Sequence, residues 1–492
     1  MKNIFKHKSI HVAMLVAMSV VPFSCDDVLK ENPATFLSED KTFATQNGAI
    51  AATLGVYAKL RDAGYYGTSW SRNLTHHADY ALGRGSQAPM ANYQLDAANI
   101  VRIGDTWTAI YSCIYRANLV IAKAADVPGI SESVANQLVA EAKFLRALSY
   151  FNLVRGWGAV PLRLEPETKD FSIGKTPVDD VYLQVIKDLQ DAEAVLPSTY
   201  PATDLGRTTK WAAKTVLADV YLTRERWTDA AAKAKEVIDS KLFSLVKITT
   251  SNEFQTKIYG NGVATHSEDI MSIKYTIALN NDPYVRHFHK PEANYAMGGS
   301  FGVLGNLDSF IGKDDWATEA SPDLRRNDFL YSGDDKKFLD ASVKMLLRKF
   351  RGTPTDVSNA FPLARYAEVL MIFAEAETMA NNAPTQAAYD AVNAVRRRAF
   401  GKDPAVPYAP ADFAAGMNAQ QFRDALMLER AKEFMCEGKR WFDLLRTKTA
   451  LSVLQAIPSK NKITERNLLW PIPKEEIDNN DAMDQKDQNP GW

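Results

Sequence analysis

Cysteine is nearly absent from this chain, which has three cysteines among 492 residues. Cys25, Cys113 and Cys436 lie far apart and no CxxC motif occurs, so a structural zinc site is excluded. Cys113 and Cys436 both fall in segments with helical periodicity. A disulfide between them is possible outside the cytoplasm, but buried free thiols fit such positions better.

The chain also lacks an excess of basic residues. Lys and Arg number 58 against 59 Asp and Glu, which gives a formal net charge of −1. Nucleic-acid-binding proteins need a basic surface that neutralises phosphates, so nucleic acid is not expected as a partner. Hydrophobic residues make up 46% and charged residues 24% of the chain. This composition is typical of a globular protein that can bury a large core.

Long apolar runs are missing as well. The apolar stretch from Val12 to Val21 follows three lysines in the first eight residues and leads to Ser24 and Cys25. It is too short to span roughly 30 Å of hydrocarbon, which takes about 20 residues. A basic start, a short apolar run and a small residue before a cleavage point are typical of an export signal. We therefore expect residues 1–24 to be a leader that is removed.

The junction at Cys25 resembles the lipobox of bacterial lipoproteins, in which the thiol is alkylated with diacylglycerol and becomes the mature amino terminus. Pro22 and Phe23 depart from the usual lipobox pattern. Asp26 and Asp27 resemble the acidic export tag of surface lipoproteins in the Bacteroidetes lineage. Several acyl chains together hold a protein on a membrane surface. The resemblance implies lipid anchoring through Cys25; an ordinary secretory signal with an incidental cysteine is the alternative.

Catalytic signatures are missing too. The sequence has no nucleophile elbow, phosphate loop, HExxH motif or deaminase pattern. Glycosidases need two positioned carboxylates, and nothing singles out a pair among 59 acidic residues. His76 and His77 beside Asp79 suggest a metal, but adjacent side chains diverge on a helix and on a strand. We expect neither an enzyme nor a metal site, and no cofactor is implied.

Helical periodicity dominates what is present. Residues 210–239 and 364–400 each predict an antiparallel helix pair with small residues at the crossing, similar to tetratricopeptide repeats. The predicted turns lie at 224–226 and 381–384, where Pro384 suits a helix start. Short alternating segments at 270–275 and 344–350 predict isolated strands or hairpins. The predicted fold is mainly α, with stacked helix pairs and a few short strands.

Two glycine-rich stretches, 63–99 and 247–355, separate the helical segments. Loops this long in a compact chain are usually functional or disordered, and their aromatic content argues against disorder. We expect them to form a loop-rich face that binds a ligand.

Several motifs, taken in order, closely resemble those of the SusD/RagB family and run nearly the length of the mature chain. They include Trp157-Gly158 within the segment 154–162 and Arg440-Trp441-Phe442-Asp443 within the segment 434–446. The other matching segments are 140–151, 206–214, 366–371, 392–399, 471–477 and 488–492.

The resemblance implies a surface lipoprotein of the outer membrane that captures a nutrient, usually a glycan. By the same resemblance, such a protein delivers the oligosaccharide to a SusC-like TonB-dependent transporter, on which it acts as a lid. Capture of peptides, as in RagB-like members, or a gating lid with little affinity of its own is the alternative. We expect one domain over 25–492, with a helical part at 25–225 and a second part at 226–492 that includes the loop-rich insertion 247–355.

The motif residues imply structural roles, and the loops carry the candidate ligand contacts. None of the motif residues is expected to be catalytic. Six of them are expected to form ion pairs between helices: Arg146, Glu368, Arg396, Glu437, Arg440 and Asp443. Flat aromatic rings cover the apolar face of a sugar, and planar polar groups bind its hydroxyls. The predicted ligand-binding residues are Tyr66, Trp70, His77, Asp79, Tyr80, Tyr284, Tyr295 and Trp316. We expect Trp70 and Trp316 to be exposed, and the tryptophans of the helical motifs (Trp107, Trp157, Trp211, Trp227 and Trp441) to lie in the core.

Overall fold

The structure is a computed structural model that describes residues 39–166, 172–276, 284, 303–331, 345–351, 356 and 358–492. Helices dominate these residues. The first nine are α1 (Glu39–Thr42), α2 (Gln46–Leu60), α3 (Ser69–His77), α4 (Ala88–Ala91), α5 (Ala97–Lys123), α6 (Glu132–Trp157), α7 (Val178–Val195), α8 (Lys210–Thr223) and α9 (Trp227–Asp239). The others are α10 (Leu324–Phe329), α11 (Tyr366–Ala380), α12 (Gln386–Ala399), α13 (Ala419–Glu433), α14 (Arg440–Arg446), α15 (Ala450–Gln455) and α16 (Lys474–Asn479).

The strands form short antiparallel ribbons of two strands each. Their bounds are β1 (Ala81–Gly83), β2 (Val160–Pro161), β3 (Lys175–Thr176), β4 (Asp269–Ile273), β5 (Val303–Gly305) and β6 (Phe361–Arg365). β1 pairs with β5, β2 with β3, and β4 with β6. The predicted strand at 270–275 is therefore confirmed as β4.

Both predicted helix pairs are present. α8 and α9 are joined by a turn in which Glu225 has φ +56°, and α11 and α12 by a turn in which Asn382 has φ +51°. The side chain of Thr209 caps α8 by accepting from Ala212 N–H. The second pair begins two residues later than predicted, because Ala364 and Arg365 belong to β6.

Successive long helices pack side by side along the chain. α5 packs on α6, α6 on α7, α7 on α8 and α8 on α9; then α9 packs on α11 and α11 on α12. Alanines are fully buried on the packed faces, among them Ala142, Ala213, Ala234 and Ala374. Small side chains let the helix axes approach closely. The predicted mainly α fold of stacked helix pairs is confirmed.

The stretch 63–99 is more regular than the sequence suggested. It contains α3, β1, a 3-10 turn at Gly85–Gln87 and α4. All nine residues of α3 are buried, and only Trp70 and Leu74 among them are apolar, so its apolar pattern is too short to recognise. A helix whose inner face is polar gives no hydrophobic periodicity, so the sequence pattern missed it.

A network of buried ion pairs joins the carboxy-terminal elements. The Glu433 carboxylate on α13 contacts Arg365 at 3.1 Å, Arg398 at 2.5 Å and Arg325 at 3.0 Å. Arg365 also contacts Glu437 at 2.7 Å. The carboxylate thus ties α10, β6 and α12 to α13.

All six ion-pair partners expected from the motifs are found in ion pairs. Arg146 pairs with Asp188, Glu368 with Lys439, Arg396 with Glu429, Glu437 with Lys349 and Arg365, Arg440 with Asp79, and Asp443 with Arg430 and Arg446. Cys113 and Cys436 are buried free thiols, as expected.

The network predicts a loss of stability in acid. Burial alone raises the pKa of Glu433, but Arg398, Arg365 and Arg325 together lower it well below the ordinary value of 4.5. The pKa of Glu429 falls to about 2, because Arg325 and Arg396 outweigh its burial. A carboxylate with a depressed folded-state pKa stabilises the fold above its unfolded-state pKa, and this stabilisation is lost as the pH falls toward the folded-state pKa. Calorimetry should therefore show a melting temperature that drops steeply between about pH 4.5 and pH 2; an unchanged melting temperature in that range contradicts it.

Candidate ligand-binding face

The two glycine-rich stretches meet at one face of the molecule. Ala81 of β1 lies opposite Gly305 of β5, and Leu304 forms a further bridge to Leu346. Asn306 strengthens the junction: its N–H donates to Tyr80 O at 2.8 Å and its Nδ2 donates to Asp79 O at 2.9 Å. We call the surface around this ribbon and the turn Gly85–Gln87 the loop face.

Tyr80 and Tyr284 attach the loop face to the helical scaffold. The Tyr80 hydroxyl accepts from Cys436 N–H at 2.8 Å, and the Tyr284 hydroxyl donates to Cys436 O at 2.8 Å. Both rings are buried, and burial raises the pKa of Tyr80 well above 10. The structure thus brings together two predicted ligand residues, but it places them beneath the face.

Trp70 belongs to the core. Its side chain is 1% exposed, and its ring lies 6.3 Å from that of Trp157, 5.4 Å from Trp470 and 5.7 Å from Phe442. The neighbouring Tyr66 accepts from Asn152 Nδ2 at 2.8 Å. The expected exposure of Trp70 is wrong, because residues distant in sequence supply the rings that bury it.

Trp316 is buried as well, with 0% of its surface exposed. Its Nε1 donates to Asp323 Oδ2 at 3.0 Å, and its ring packs against Phe310 with centroids 5.7 Å apart. The expected exposure of Trp316 is therefore also wrong. The surrounding residues Lys313, Asp314, Asp315 and Ala317 are exposed, which explains why the local sequence suggested an exposed ring.

His77 and Asp79 have partners inside the protein. His77 Nδ1 donates to Asn73 O at 2.9 Å, and Nε2 accepts from Trp470 Nε1 at 3.3 Å. Burial lowers the pKa of His77 to about 3, so the ring is neutral. The Asp79 carboxylate accepts two bonds from Arg440, at 2.7 and 3.1 Å. Within the described parts of the chain, no group of three His, Cys, Asp or Glu side chains is arranged to hold a metal.

The predicted site residues thus separate into two groups. Tyr295, like Cys25, lies outside the described residues. The other seven are buried: Tyr80 and Tyr284 lie beneath the loop face, and the remaining five have partners inside the protein. Ligand contact through these residues stays a prediction.

Residues near the carboxy terminus hold α3, α4 and the tryptophan cluster around Trp70 in place. Lys460 Nζ is buried and donates to His76 O at 2.6 Å and to Ala91 O at 2.8 Å, which holds the ends of α3 and α4. Burial lowers the pKa of Lys460 to about 7. Asn489 Nδ2 donates to Trp157 O at 2.9 Å and to Trp470 O at 2.7 Å. Trp470 N–H donates to Gly156 O at 2.8 Å.

Arginines that the sequence did not single out lie on or under the loop face. Arg348 stacks over the ring of Tyr331, 5.1 Å from its centroid. Arg351 pairs with Asp328, whose pKa burial raises to about 6. Arg102 contacts Ser86 in the turn that follows β1. Arg348 and Arg351 flank Lys349 in a short basic stretch, whereas Arg102 lies far from them in the sequence.

Three cavities lie apart from the loop face. Two clefts of about 270 and 260 Å³ flank the loop 203–207 and share Arg207 and Lys274 in their linings. A groove of about 770 Å³ lies among α9, α11, α12 and the loop 403–407, where Phe243, Leu370 and Phe373 give it an apolar wall. No described helix is long and apolar enough to cross a membrane.

A stack of helix pairs that carries a loop face is the architecture of a helical-repeat binding scaffold. The chain belongs to the SusD family: the family model described as SusD family matches residues 336–492, and one described as "Starch-binding associating with outer membrane" matches 34–222. Together the two models match more than half of the chain.

Individual relatives agree with this assignment. SusD-like protein P25 of Formosa agariphila is 25% identical, over 94% of this chain and 96% of its own length. The crystal structure of a SusD homolog from Bacteroides thetaiotaomicron superposes with a TM-score of 0.78 at 22% identity, covering 92% of this chain and 99% of that one. A laminarin-binding SusD-like protein superposes with a TM-score of 0.73 at 24% identity, covering 91% and 100%.

Proposed function

We propose that this protein captures an oligosaccharide at the cell surface and delivers it, as a lid, to a SusC-like TonB-dependent transporter of the outer membrane. Membership of the SusD family carries this proposal, because one matching family model is described as starch-binding and outer-membrane-associated. A fold relative that binds laminarin supports a glycan as the ligand. The protein acts by binding alone, since no catalytic motif occurs in its sequence.

The geometry of the loop face supports a preformed binding surface. Hydrogen bonds from the rigid scaffold hold Tyr80, Tyr284 and Asn306 at its base. A face whose supports are fixed before binding loses little conformational entropy when the ligand arrives. The scaffold therefore suits capture of a ligand whose identity is set by the residues above those supports.

Glycan-array binding by residues 26–492 tests the proposal, with laminarin oligosaccharides as the first soluble ligands in calorimetric titration. We expect saturable binding to at least one glycan and no product on chromatography after long incubation. Absence of binding to every glycan contradicts the proposed ligand class. Product release that a single carboxylate substitution abolishes contradicts the non-catalytic role.

Membrane attachment is expected to depend on Cys25. Cys25→Ala removes the thiol that would carry the acyl chains, so the protein should move from the membrane fraction to the soluble fraction. Cell fractionation and immunoblotting measure the change, with Cys113→Ala as the control that removes a different thiol. Retention of the Cys25→Ala protein in membranes contradicts the lipid anchor.

The transporter partnership has its own test. Affinity purification from native membranes in mild detergent should recover a SusC-like barrel in near-equal amount. Its consistent absence would leave a free-standing binding protein.

Capture of peptides is the second candidate function. The groove of about 770 Å³ favours it, because its apolar wall suits peptide side chains better than sugar hydroxyls. Titration with a peptide library distinguishes the two: peptide binding that Phe373→Lys abolishes, without any glycan binding, supports the second candidate.

A further inference from the structure

Arg72 is a buried cation without a counterion among the described residues. Its side chain on α3 is 7% exposed. Its Nε is inaccessible to solvent and has no hydrogen-bond partner, and neither Nη1 nor Nη2 is bonded to a described residue. Arg325, Arg365, Arg398 and Arg430, which are also deeply buried, each contact a carboxylate. Arg326, 3% exposed, lacks an ion pair but donates to Trp316 O and Asn327 Oδ1. Arg72 differs from these buried arginines in having neither an ion pair nor a hydrogen bond from its guanidinium to a described residue.

A second arginine lies on the helix that packs against α3. Arg102 on α5 donates from Nη1 to Ser86 O at 3.2 Å and to Asn99 Oδ1 at 3.1 Å, and from Nη2 to Ser86 Oγ at 3.4 Å. Burial lowers the pKa of Arg72, and the charge of Arg102 lowers it further, to about 10. Two guanidinium groups thus repel each other where α3 and α5 pack together.

The neighbouring acidic group does not pair with Arg72. Asp96 Oδ1 caps α5 by accepting from Asn99 N–H at 2.9 Å and from Asn99 Nδ2 at 2.7 Å. It lies within electrostatic reach of Arg102, but no carboxylate of the described residues forms an ion pair with either arginine. The positive charge at this junction is therefore only partly neutralised by the protein.

Other buried polar groups on α3 and in the turn Gly85–Gln87 also lack partners. Both polar atoms of the Asn73 side chain, on α3 next to Arg72, are buried without a hydrogen bond, as is Oε1 of Gln87 in the turn. Gly85 and Ser86 of that turn are exposed, so the junction opens at the end of β1 onto the loop face. Buried polar groups without protein partners leave room for a bound water, ion or ligand.

We propose that Arg72 and Arg102 form a binding site for an anionic group, and that this group is a carboxylate or sulfate substituent of the captured glycan. Guanidinium groups bind the oxygens of carboxylates and sulfates through paired, charge-assisted hydrogen bonds. An anion at this point satisfies the unpaired buried charge and relieves the repulsion between the arginines. The glycan part of this inference rests on the proposed function, whereas the anion site itself does not.

Two titrations of the purified protein test the inference. The first uses low-millimolar sodium sulfate or sodium glucuronate against sodium chloride of equal ionic strength, followed by thermal melting. The second uses oligogalacturonate and the same oligosaccharide after reduction of its carboxyl groups. The variants are Arg72→Met and Arg102→Met, and Arg226→Met is the control because Arg226 is an exposed arginine that pairs with Asp229.

We expect sulfate or glucuronate to raise the melting temperature of the wild type and of Arg226→Met, but not of the two site variants. We also expect Arg72→Met without ligand to melt no lower than the wild type, because it removes an unpaired buried charge and keeps the side-chain volume. That result separates loss of a site from loss of the fold. Binding of the acidic oligosaccharide should weaken about tenfold or more in each site variant.

The outcomes separate the two proposals. Equal shifts in all variants, or none in the wild type, overturn the anion site. An Arg72-dependent shift with sulfate or glucuronate supports it even if no glycan binds, in which case the proposed function fails and the site stands. Equal binding of the acidic and the carboxyl-reduced oligosaccharide, unchanged in Arg72→Met, leaves the glycan function standing and overturns the site.

Discussion

Replacing Arg365 with methionine is expected to lower the free energy of unfolding by about 3–5 kcal/mol. Arg365 contacts Glu268, Glu433 and Glu437 through a fully buried guanidinium. Methionine keeps much of the volume but leaves these carboxylates short of a counterion in a site that water does not reach. The loss of an ion-pair partner there costs far more than at the surface. Urea unfolding followed by circular dichroism near pH 7 measures the effect.

An exposed ion pair provides the control for Arg365. Arg226→Met removes the partner of Asp229, which is about half exposed, and should change stability by less than about 1 kcal/mol. The stability lost in Arg365→Met should also shrink in acid, where the carboxylates become protonated and no longer need the arginine. If Arg365→Met is as stable as the wild type near pH 7, the buried ion pairs do not stabilise the fold as expected.

Replacing Trp70 with alanine is expected to destabilise the fold by about 3–5 kcal/mol, as other truncations of buried aromatic residues do. Local sequence predicted the opposite: an exposed ring whose loss leaves stability nearly unchanged. The structure packs Trp70 against Trp157 and Trp470, so the substitution opens a cavity among aromatic rings. Thermal melting and urea unfolding of Trp70→Ala beside Trp157→Ala should show losses of similar size.

Trp227 offers a matched control for Trp70. It begins α9 and is only partly buried, so Trp227→Ala should cost clearly less than Trp70→Ala. If Trp70→Ala melts like the wild type, the ring is not held in the core and its predicted contact with a ligand regains support.

The helical scaffold could be predicted from sequence because its signals are local. Apolar and alanine positions at helical spacing define α8, α9, α11 and α12, and the turn between α11 and α12 carries Asn382, a residue type suited to positive φ. The ion-pair partners were identified through the family resemblance. α3 escaped prediction because its buried side chains bond to partners that the pattern of α3 itself does not reveal, as His77 does with Trp470.

The candidate site was much harder to predict, for a physical reason. Whether Trp70 or Trp316 is exposed depends on rings and carboxylates outside the immediate sequence neighbourhood of each tryptophan. The segment from Gly312 to Glu319 contains no large apolar residue besides Trp316 itself. The burial of Arg72 could not be predicted from local sequence either. A lone arginine in a sequence is ordinarily solvated, and only the fold shows that it is buried without a counterion.

The contacts of Lys460, Trp470 and Asn489 have a consequence for how the chain folds. Trp470 and Asn489 complete the packing around Trp70 and Trp157, and Lys460 holds the carbonyl groups of His76 and Ala91, all more than three hundred positions earlier in the sequence. The cluster of Trp70 and Trp157 therefore gains its last contacts only when nearly the whole chain has been synthesised. Contacts of such long sequence separation slow folding. Before the last residues are synthesised, the tryptophan cluster lacks these contacts and exposes aromatic surface. Exposed surface of this kind is what chaperones that hold unfolded chains bind.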